Sequence, residues 1–183
     1  FGCPVFNGRI EDFVDEVRRG SIKLPQVQVV VGGPPCQGFS PLGKMSAGES
    51  KREMHVKMNS LWNYFADMLA ILKPVAFVTE NVPEFLRSVE FLSFIERVQK
   101  LGYKTTYGVL AADQFGVPQK RRRAFTVGSL SSEPILPVPG DIRATVRDAI
   151  GHLPLVPTGK NWHIGRSPTP ISIERYKVIP EGG

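Results

Sequence analysis

The sequence is poor in the residues that build disulfide or metal scaffolds. Its 183 residues include only two cysteines, Cys3 and Cys36, and three scattered histidines. So few cysteines argue against a disulfide framework and are typical of a reducing compartment. The same residues are too few, at unsuitable spacing, to hold a metal ion. We therefore expect neither a disulfide scaffold nor a metal.

Long apolar runs are also missing. The longest apolar stretches are far shorter than the about 20 residues that cross a bilayer. The first residues lack the charged start and apolar centre of a signal peptide. We therefore expect no membrane association. The chain does not begin with methionine, so we also expect it to be part of a longer protein.

The composition is that of an ordinary globular protein with a basic surplus. Hydrophobic residues make up 42% and charged residues 22% of the chain, and the formal net charge is +6. A basic surplus suits an anionic partner, such as nucleic acid or a membrane surface. Because many soluble proteins are basic, charge alone does not choose between partners.

Hydrophobic periodicity predicts helices alternating with strands. We expect helices over 10–17, 61–72, 91–101 and 145–150, and strands over 27–31, 75–78, 103–111 and 124–127. This alternation indicates an α/β fold with a mainly parallel sheet. We predict a catalytic domain over 1–130 and a proline-rich connection over 131–183, irregular apart from the helix near residue 145.

Cys36 follows the first predicted strand on a stiff turn, within Gly33-Pro34-Pro35-Cys36. Prolines fix the backbone there, and glycine allows close approach of another group. An exposed thiol near cationic groups can act as a nucleophile. The competing interpretation is a buried structural cysteine, which is the more common state of a lone cysteine.

Glu80 and Asn81 follow the second buried strand, so they share the carboxyl edge of the predicted sheet with Cys36. A carboxyl group there can be desolvated, which would raise its pKa and let it donate a proton. The competing interpretation is an acid at the start of a helix, where the helix dipole favours it.

A basic run follows at Gln119 to Arg123. Alternate residues of an extended segment point the same way, so Gln119, Arg121 and Arg123 should share one face, with Lys120 and Arg122 on the other. Arginine can hold a phosphate or a planar polar edge by two hydrogen bonds. A solvated charge run is the competing interpretation.

Together these three motifs strongly resemble the DNA cytosine-5 methyltransferase family. The resemblance runs from about Val27 to Gly128, and the segment 173–180 resembles the family's stretch towards its target-recognition region. It implies a Rossmann-like S-adenosylmethionine-dependent methyltransferase fold with helices on both faces of the sheet, here incomplete at both ends. The expected catalytic residues are Cys36, Glu80, Arg121 and Arg123, supported by Gln37, Ser40, Asn81 and Gln119.

The resemblance also implies a chemistry. Cys36 would add to C6 of a flipped-out cytosine, Glu80 would serve N3, and Arg121 and Arg123 would stabilise the O2 side. The methyl group would come from S-adenosylmethionine, with Pro35 and Leu61 beside it and no metal required. Where the family often has Gly-Asp-Ile before a helix, this chain has Gly8-Arg9-Ile10, so the usual acidic contact to adenine is in doubt.

The resemblance further implies double-stranded DNA as partner and the role of either a restriction-modification enzyme or an orphan bacterial or phage modification enzyme. In the first case a restriction endonuclease of the same site would accompany it. The expected location is the bacterial cytoplasm or the nucleoid, or the nucleus of a eukaryote. The alternatives are a tRNA cytosine-5 methyltransferase of the same fold and a catalytically inert DNA-binding relative. A cysteine hydrolase would need a histidine partner, and no histidine lies in a recognisable context.

Overall fold

The described part of the chain contains five α-helices and four β-strands. The structure is a computed structural model, and it describes residues 3–35, 61–154, 156–160 and 163–180. The helices are α1 (Ile10–Arg18), α2 (Leu61–Leu72), α3 (Val89–Lys100), α4 (Val146–Ile150) and α5 (Pro170–Lys177). The strands are β1 (Val29–Gly32), β2 (Ala76–Asn81), β3 (Lys104–Ala111) and β4 (Arg122–Ser129). Two short 3₁₀-helices cover Pro83–Arg87 and Ala112–Phe115.

The predicted elements up to residue 150 are all present, with small shifts at their ends. The helices end where the sequence favours it. Gly20 follows α1 with φ 76°, and Gly102 follows α3 with φ 94°. These left-handed conformations are accessible to glycine at little steric cost, which makes glycine the usual residue just after a helix. At the start of α3, the Ser88 hydroxyl oxygen accepts a hydrogen bond from the Phe91 amide at 3.1 Å.

The four strands form one sheet in the order β1-β2-β4-β3. β1 and β2 are parallel, whereas β4 is antiparallel to both of its neighbours. The predicted α/β fold is confirmed, and the sheet is mixed, because three strands run in one direction and β4 alone is reversed, which gives one parallel and two antiparallel pairings. Because β4 runs the other way, it begins at the edge where β1 and β2 end. The basic run that starts β4 is thereby placed beside Glu80.

Aromatic side chains fill the space between the sheet and the helices α2 and α3. Phe77 of β2 is fully buried, with its ring centroid 5.8 Å from that of Phe94 and 5.2 Å from that of Tyr103. Trp62 of α2 stacks on Phe85 at 4.1 Å. Rings of this size bury much apolar area, and their edge-to-face contacts add to it. This core fixes the sheet from one side.

The opposite face of β3 and β4 is covered by a non-helical stretch, residues 134–137. The Thr106 hydroxyl donates to the Pro134 carbonyl at 2.6 Å. A Cβ added at Gly108 would lie 2.9 Å from the side chain of Leu136, so a glycine is needed for this stretch to lie so close. A second helical layer, as the predicted fold class includes, is not among the described residues.

Contacts divide the chain into two compact units, residues 1–144 and 145–183. In the second unit, α4 starts with a capping box in which the Thr145 amide donates to Asp148 at 2.8 Å, which lowers the pKa of that carboxyl. The expectation of irregular structure after residue 150 is wrong at α5. Its start has ordinary helix signals, a capping Thr169 followed by Pro170 in the first turn. The predicted division at residue 130 remains a prediction.

Candidate active site

Glu80 lies one residue before the end of β2, on the face opposite the helices. Burial alternates along this strand, so Phe77, Thr79 and Asn81 face the core whereas Glu80 does not. Glu80 pairs in register with Phe125 of β4. Its side chain is 40% exposed, so the carboxyl group is accessible to a ligand.

Arg121 and Arg123 both point at this carboxyl group. Arg123 Nε lies 2.9 Å from Glu80 Oε1, and Arg121 Nη2 lies 3.6 Å from the same oxygen. The predicted alternation explains the arrangement, because residues two apart on an extended segment share a face. The side chains of Arg121 and Arg123 are 48% and 26% exposed, so each pair adds only about 0.2–1 kcal/mol to stability. We infer that their positions matter more than their contribution to stability.

The three charged side chains line a cavity of about 420 Å³. All its other lining residues are apolar: Val78, Leu110, Ala112, Phe115, Phe125, Val127, Leu136 and Pro137. Apolar walls with a few converging polar groups are typical of small-ligand sites. Here the polar groups are one carboxylate and two guanidinium groups, which can satisfy donors and acceptors on one edge of a planar ring.

Asn81 connects this site to the turn that leads to Cys36. Its side chain is 4% exposed, and its Nδ2 donates to the Pro34 carbonyl at 3.1 Å. Its Oδ1 accepts a hydrogen bond from the Val82 amide at 2.7 Å. The turn also passes close to the acid, because a Cβ added at Gly33 would lie 3.4 Å from the Glu80 carbonyl oxygen. The end of β2 and the start of the cysteine turn are thus held as one piece.

The remaining predicted site residues divide into two groups. Cys36, Gln37 and Ser40 lie outside the described residues. Gln119 is described, but its side chain is exposed and is not among the lining of the cavity; its backbone instead shapes the tight turn before β4, with its amide on the Val117 carbonyl at 2.7 Å.

Sequence reasoning missed the apolar walls of the cavity. Phe125 and Val127 continue the alternation that begins at Arg121 and Arg123, so the two-residue period contained the signal. Leu136 and Pro137 carried no such signal, because they reach the cavity through a connection without a period.

The predicted cofactor neighbours Pro35 and Leu61 both line a second cavity, of about 370 Å³. Ile10 and Phe13 of α1 line it too, and all its described lining residues are apolar or glycine. Such a lining fits the face of an adenine ring and the carbon chain of S-adenosylmethionine. Nearby, Arg9 pairs with Glu11 at 2.5 Å, which raises the pKa of the guanidinium.

Within residues 3–35, 61–154, 156–160 and 163–180, no three His, Cys, Asp or Glu side chains cluster as a metal site would require. No helix in this part of the chain is long and apolar enough to cross a bilayer.

Comparisons with known proteins point in one direction. Residues 5–160 match the family model for C-5 cytosine-specific DNA methylases. Type II methyltransferase M.XorII of Xanthomonas oryzae is 38% identical over 152 residues, which are 76% of this chain and 33% of that protein. Type II methyltransferase M1.HphI of Haemophilus parahaemolyticus is 34% identical over 86% of this chain and 44% of that protein. The chain thus spans less than half of either relative.

Among solved structures, the Entamoeba histolytica methyltransferase EhMeth has a similar fold. The TM-score is 0.52 at 18% sequence identity, over 72% of this chain and 39% of that one. At this identity the likeness concerns the fold alone.

Proposed function

Because the chain belongs to the family of C-5 cytosine-specific DNA methylases, we propose that the protein containing it methylates C5 of cytosine in double-stranded DNA. The methyl donor is S-adenosylmethionine. The observation that carries the proposal is the placement of Glu80, Arg121 and Arg123 around one cavity, beside the turn that runs into Cys36.

The reaction needs a nucleophile because cytosine C5 is itself a poor one. A Cys36 thiolate that adds to C6 forms an S–C6 bond and turns C5 into an enamine carbon. Once C5 carries the methyl group, loss of its proton expels the sulfur and restores the ring double bond. Cys36 follows Pro35 directly in the sequence, so the turn held by Asn81 would present the sulfur to the site.

Glu80 and the two arginines would manage the charge that sulfur addition creates. That charge develops at N3 and O2 of the ring. Proton donation to N3 by way of the Glu80 carboxyl would neutralise it, an effect typically worth about 100- to 10,000-fold in rate. Arg121 and Arg123 would stabilise the O2 side, as fixed cations do best in a site that excludes water.

The second cavity supports a cofactor site next to the first. S-adenosylmethionine supplies the methyl group when bound. The apolar lining by Pro35, Leu61, Ile10 and Phe13 would hold its apolar parts. A cytosine stacked inside a duplex cannot reach the cavity around Glu80, so the target base must flip out, at a cost of a few kcal/mol.

The names of the relatives also support a modification role. M.XorII and M1.HphI are both type II methyltransferases, so we propose a partner endonuclease that cuts the same site unless it is methylated. Bisulfite sequencing of DNA exposed to the full-length protein would give that site. Unmodified cytosines throughout would contradict the proposed methylation of DNA.

Covalent trapping in the full-length protein tests the nucleophile. A duplex with 5-fluorocytosine at the target position holds the adduct, because fluorine cannot leave C5 as the proton does. With S-adenosylmethionine present, we expect a denaturation-resistant adduct that mass spectrometry locates at Cys36. Cys36→Ser should abolish it. Cys3→Ser removes the other cysteine of these 183 residues, which is exposed, and should trap like the parent.

Two results would contradict the proposal. One is an adduct that persists in Cys36→Ser. The other is methyl transfer to tRNA in the absence of transfer to duplex DNA, which would favour the RNA-modifying alternative.

A further inference from the structure

The basic run at the start of β4 places charge on both faces of the sheet. Arg121 and Arg123 face Glu80, whereas Arg122 alternates with them and lines two cavities on the helix side. One, of about 600 Å³, is also lined by Arg87, and the other, of about 500 Å³, by Lys120. The cavities share Arg122 and Val109. We call Arg87, Lys120 and Arg122 the outer basic surface.

The two faces differ in how their cations are paired. Arg121 and Arg123 both have the Glu80 carboxylate as partner. Among the described residues, no carboxylate lies within 4.0 Å of the cationic groups of the outer basic surface, and all three side chains are exposed. Their charge is thus available to an external anion.

The residues around this surface leave its positive charge in excess. The two cavities also contain the acids Glu84 and Asp113. Beside the second cavity, the Arg143 guanidinium donates to the Asp113 carbonyl at 3.2 Å. With Arg143, the outer basic surface therefore has four cationic side chains and two carboxylates in its neighbourhood. Such an excess attracts an anionic partner.

The position of the surface indicates which anionic partner. Arg122 precedes Arg123 in β4, so its backbone lies at the rim of the base cavity while its side chain is on the other face. A DNA strand carries a phosphate at every nucleotide. A strand that delivers a base to Glu80 and Arg123 therefore continues past this rim with phosphates on either side of the target. Arginine binds phosphate by two hydrogen bonds, which suits it for this contact.

We propose that the outer basic surface binds backbone phosphates of the DNA duplex beside the target base. The inference rests on the proposed function for the identity of the ligand. It assigns a separate task to each face of one strand: Arg121 and Arg123 serve the base, and Lys120 and Arg122, with Arg87, serve the backbone.

The salt dependence of DNA binding tests this assignment in the full-length protein. We would measure Kd for a fluorescent duplex between about 50 and 200 mM salt by anisotropy. The variants are Arg87→Gln, Lys120→Gln and Arg122→Gln, alone and combined. Each lost phosphate contact should reduce the slope of log K against log salt by about 0.9, so the triple variant should lose between two and three.

A matched control and a second readout separate this effect from others. Lys104→Gln removes one charge at the opposite end of β3 and should leave the slope unchanged. At saturating DNA, trapping of 5-fluorocytosine by the triple variant should match the parent, because the base face is intact.

Three results decide the matter. An unchanged slope in the triple variant overturns the proposal, and the residues are then ordinary solvated charges. Slower trapping at saturating DNA also overturns it, even with a reduced slope, because the substitutions then disturb the base face. If the parent binds DNA but never traps it, the proposed function fails, while the slopes still decide whether this surface binds phosphate.

Discussion

Asn81→Asp is the most direct test of whether the contact between β2 and the cysteine turn positions the catalytic groups. The substitution keeps the size of the side chain and an acceptor for the Val82 amide. It replaces the Nδ2 donor with an oxygen that faces the Pro34 carbonyl, 3.1 Å away in the parent. Because the site is 4% exposed, water cannot readily replace the lost donor.

The expected magnitude follows from that lost hydrogen bond. A buried carbonyl without a partner costs about 1–3 kcal/mol, and a charged carboxylate facing it costs more, so this range is a lower bound. If this energy holds the turn in its reactive position, trapping should slow by about 5- to 150-fold or more, since 1.36 kcal/mol is a factor of ten. The Kd for DNA should change little, because Asn81 faces the core and not the cavity.

The assay is single-turnover trapping of a 5-fluorocytosine duplex at saturating DNA, measured against pH. When protonated, the substituted carboxyl regains a donor for the Pro34 carbonyl. The ratio of variant to parent rate should therefore recover as pH falls. Thr79→Ala is the matched control, because it weakens the same strand at a buried site, 2% exposed, without touching the turn. Trapping at the parent rate in Asn81→Asp, or an equal loss in Thr79→Ala, would refute the positioning role.

Two predictions concern the core. The Tyr103 hydroxyl donates to the Pro74 carbonyl at 2.8 Å, and burial raises the pKa of this phenol above its ordinary value of 10.0. Its stabilisation is complete below pH 10 and is lost as pH rises through the raised value, so Tyr103→Phe should cost about 1 kcal/mol at neutral pH and show less alkaline loss in urea unfolding. Equal stability of variant and parent at neutral pH would contradict this. Gly128→Ala would place a Cβ 2.0 Å from the buried Phe77 ring, so its thermal midpoint should fall with a cost of about 1–3 kcal/mol. Gly140→Ala, with its nearest atom 4.0 Å away, should leave the midpoint unchanged, and a Gly128 variant that does the same would show that the ring can move.

The local features of the site could be predicted from the sequence because they depend on short-range rules. The strand predicted over 75–78 is a short apolar run that follows Pro74, and the chemistry-bearing residues come directly after it. The two-residue period of an extended chain places Arg121 and Arg123 on one face. These rules need no knowledge of which strand lies beside which.

The remaining features depend on partners far apart in the sequence. The hydrogen bond from Asn81 to Pro34 joins residues 47 positions apart, and no local pattern specifies it. The placement of β4 between β2 and β3 likewise depends on the whole sheet. Leu136 reaches the cavity through a stretch without periodicity, so its neighbours follow only from the folded chain.

The central position of β4 has a consequence for how the protein is made. β2 is synthesised early, but its neighbour on one side, β4, emerges only after the helix α3 and the strand β3. Until then the carboxyl of Glu80 has neither arginine beside it, and one edge of β2 lacks its hydrogen-bond partners. Pairings between distant segments form slowly, so we expect the nascent chain to acquire its completed sheet and its charged triad in a single late event.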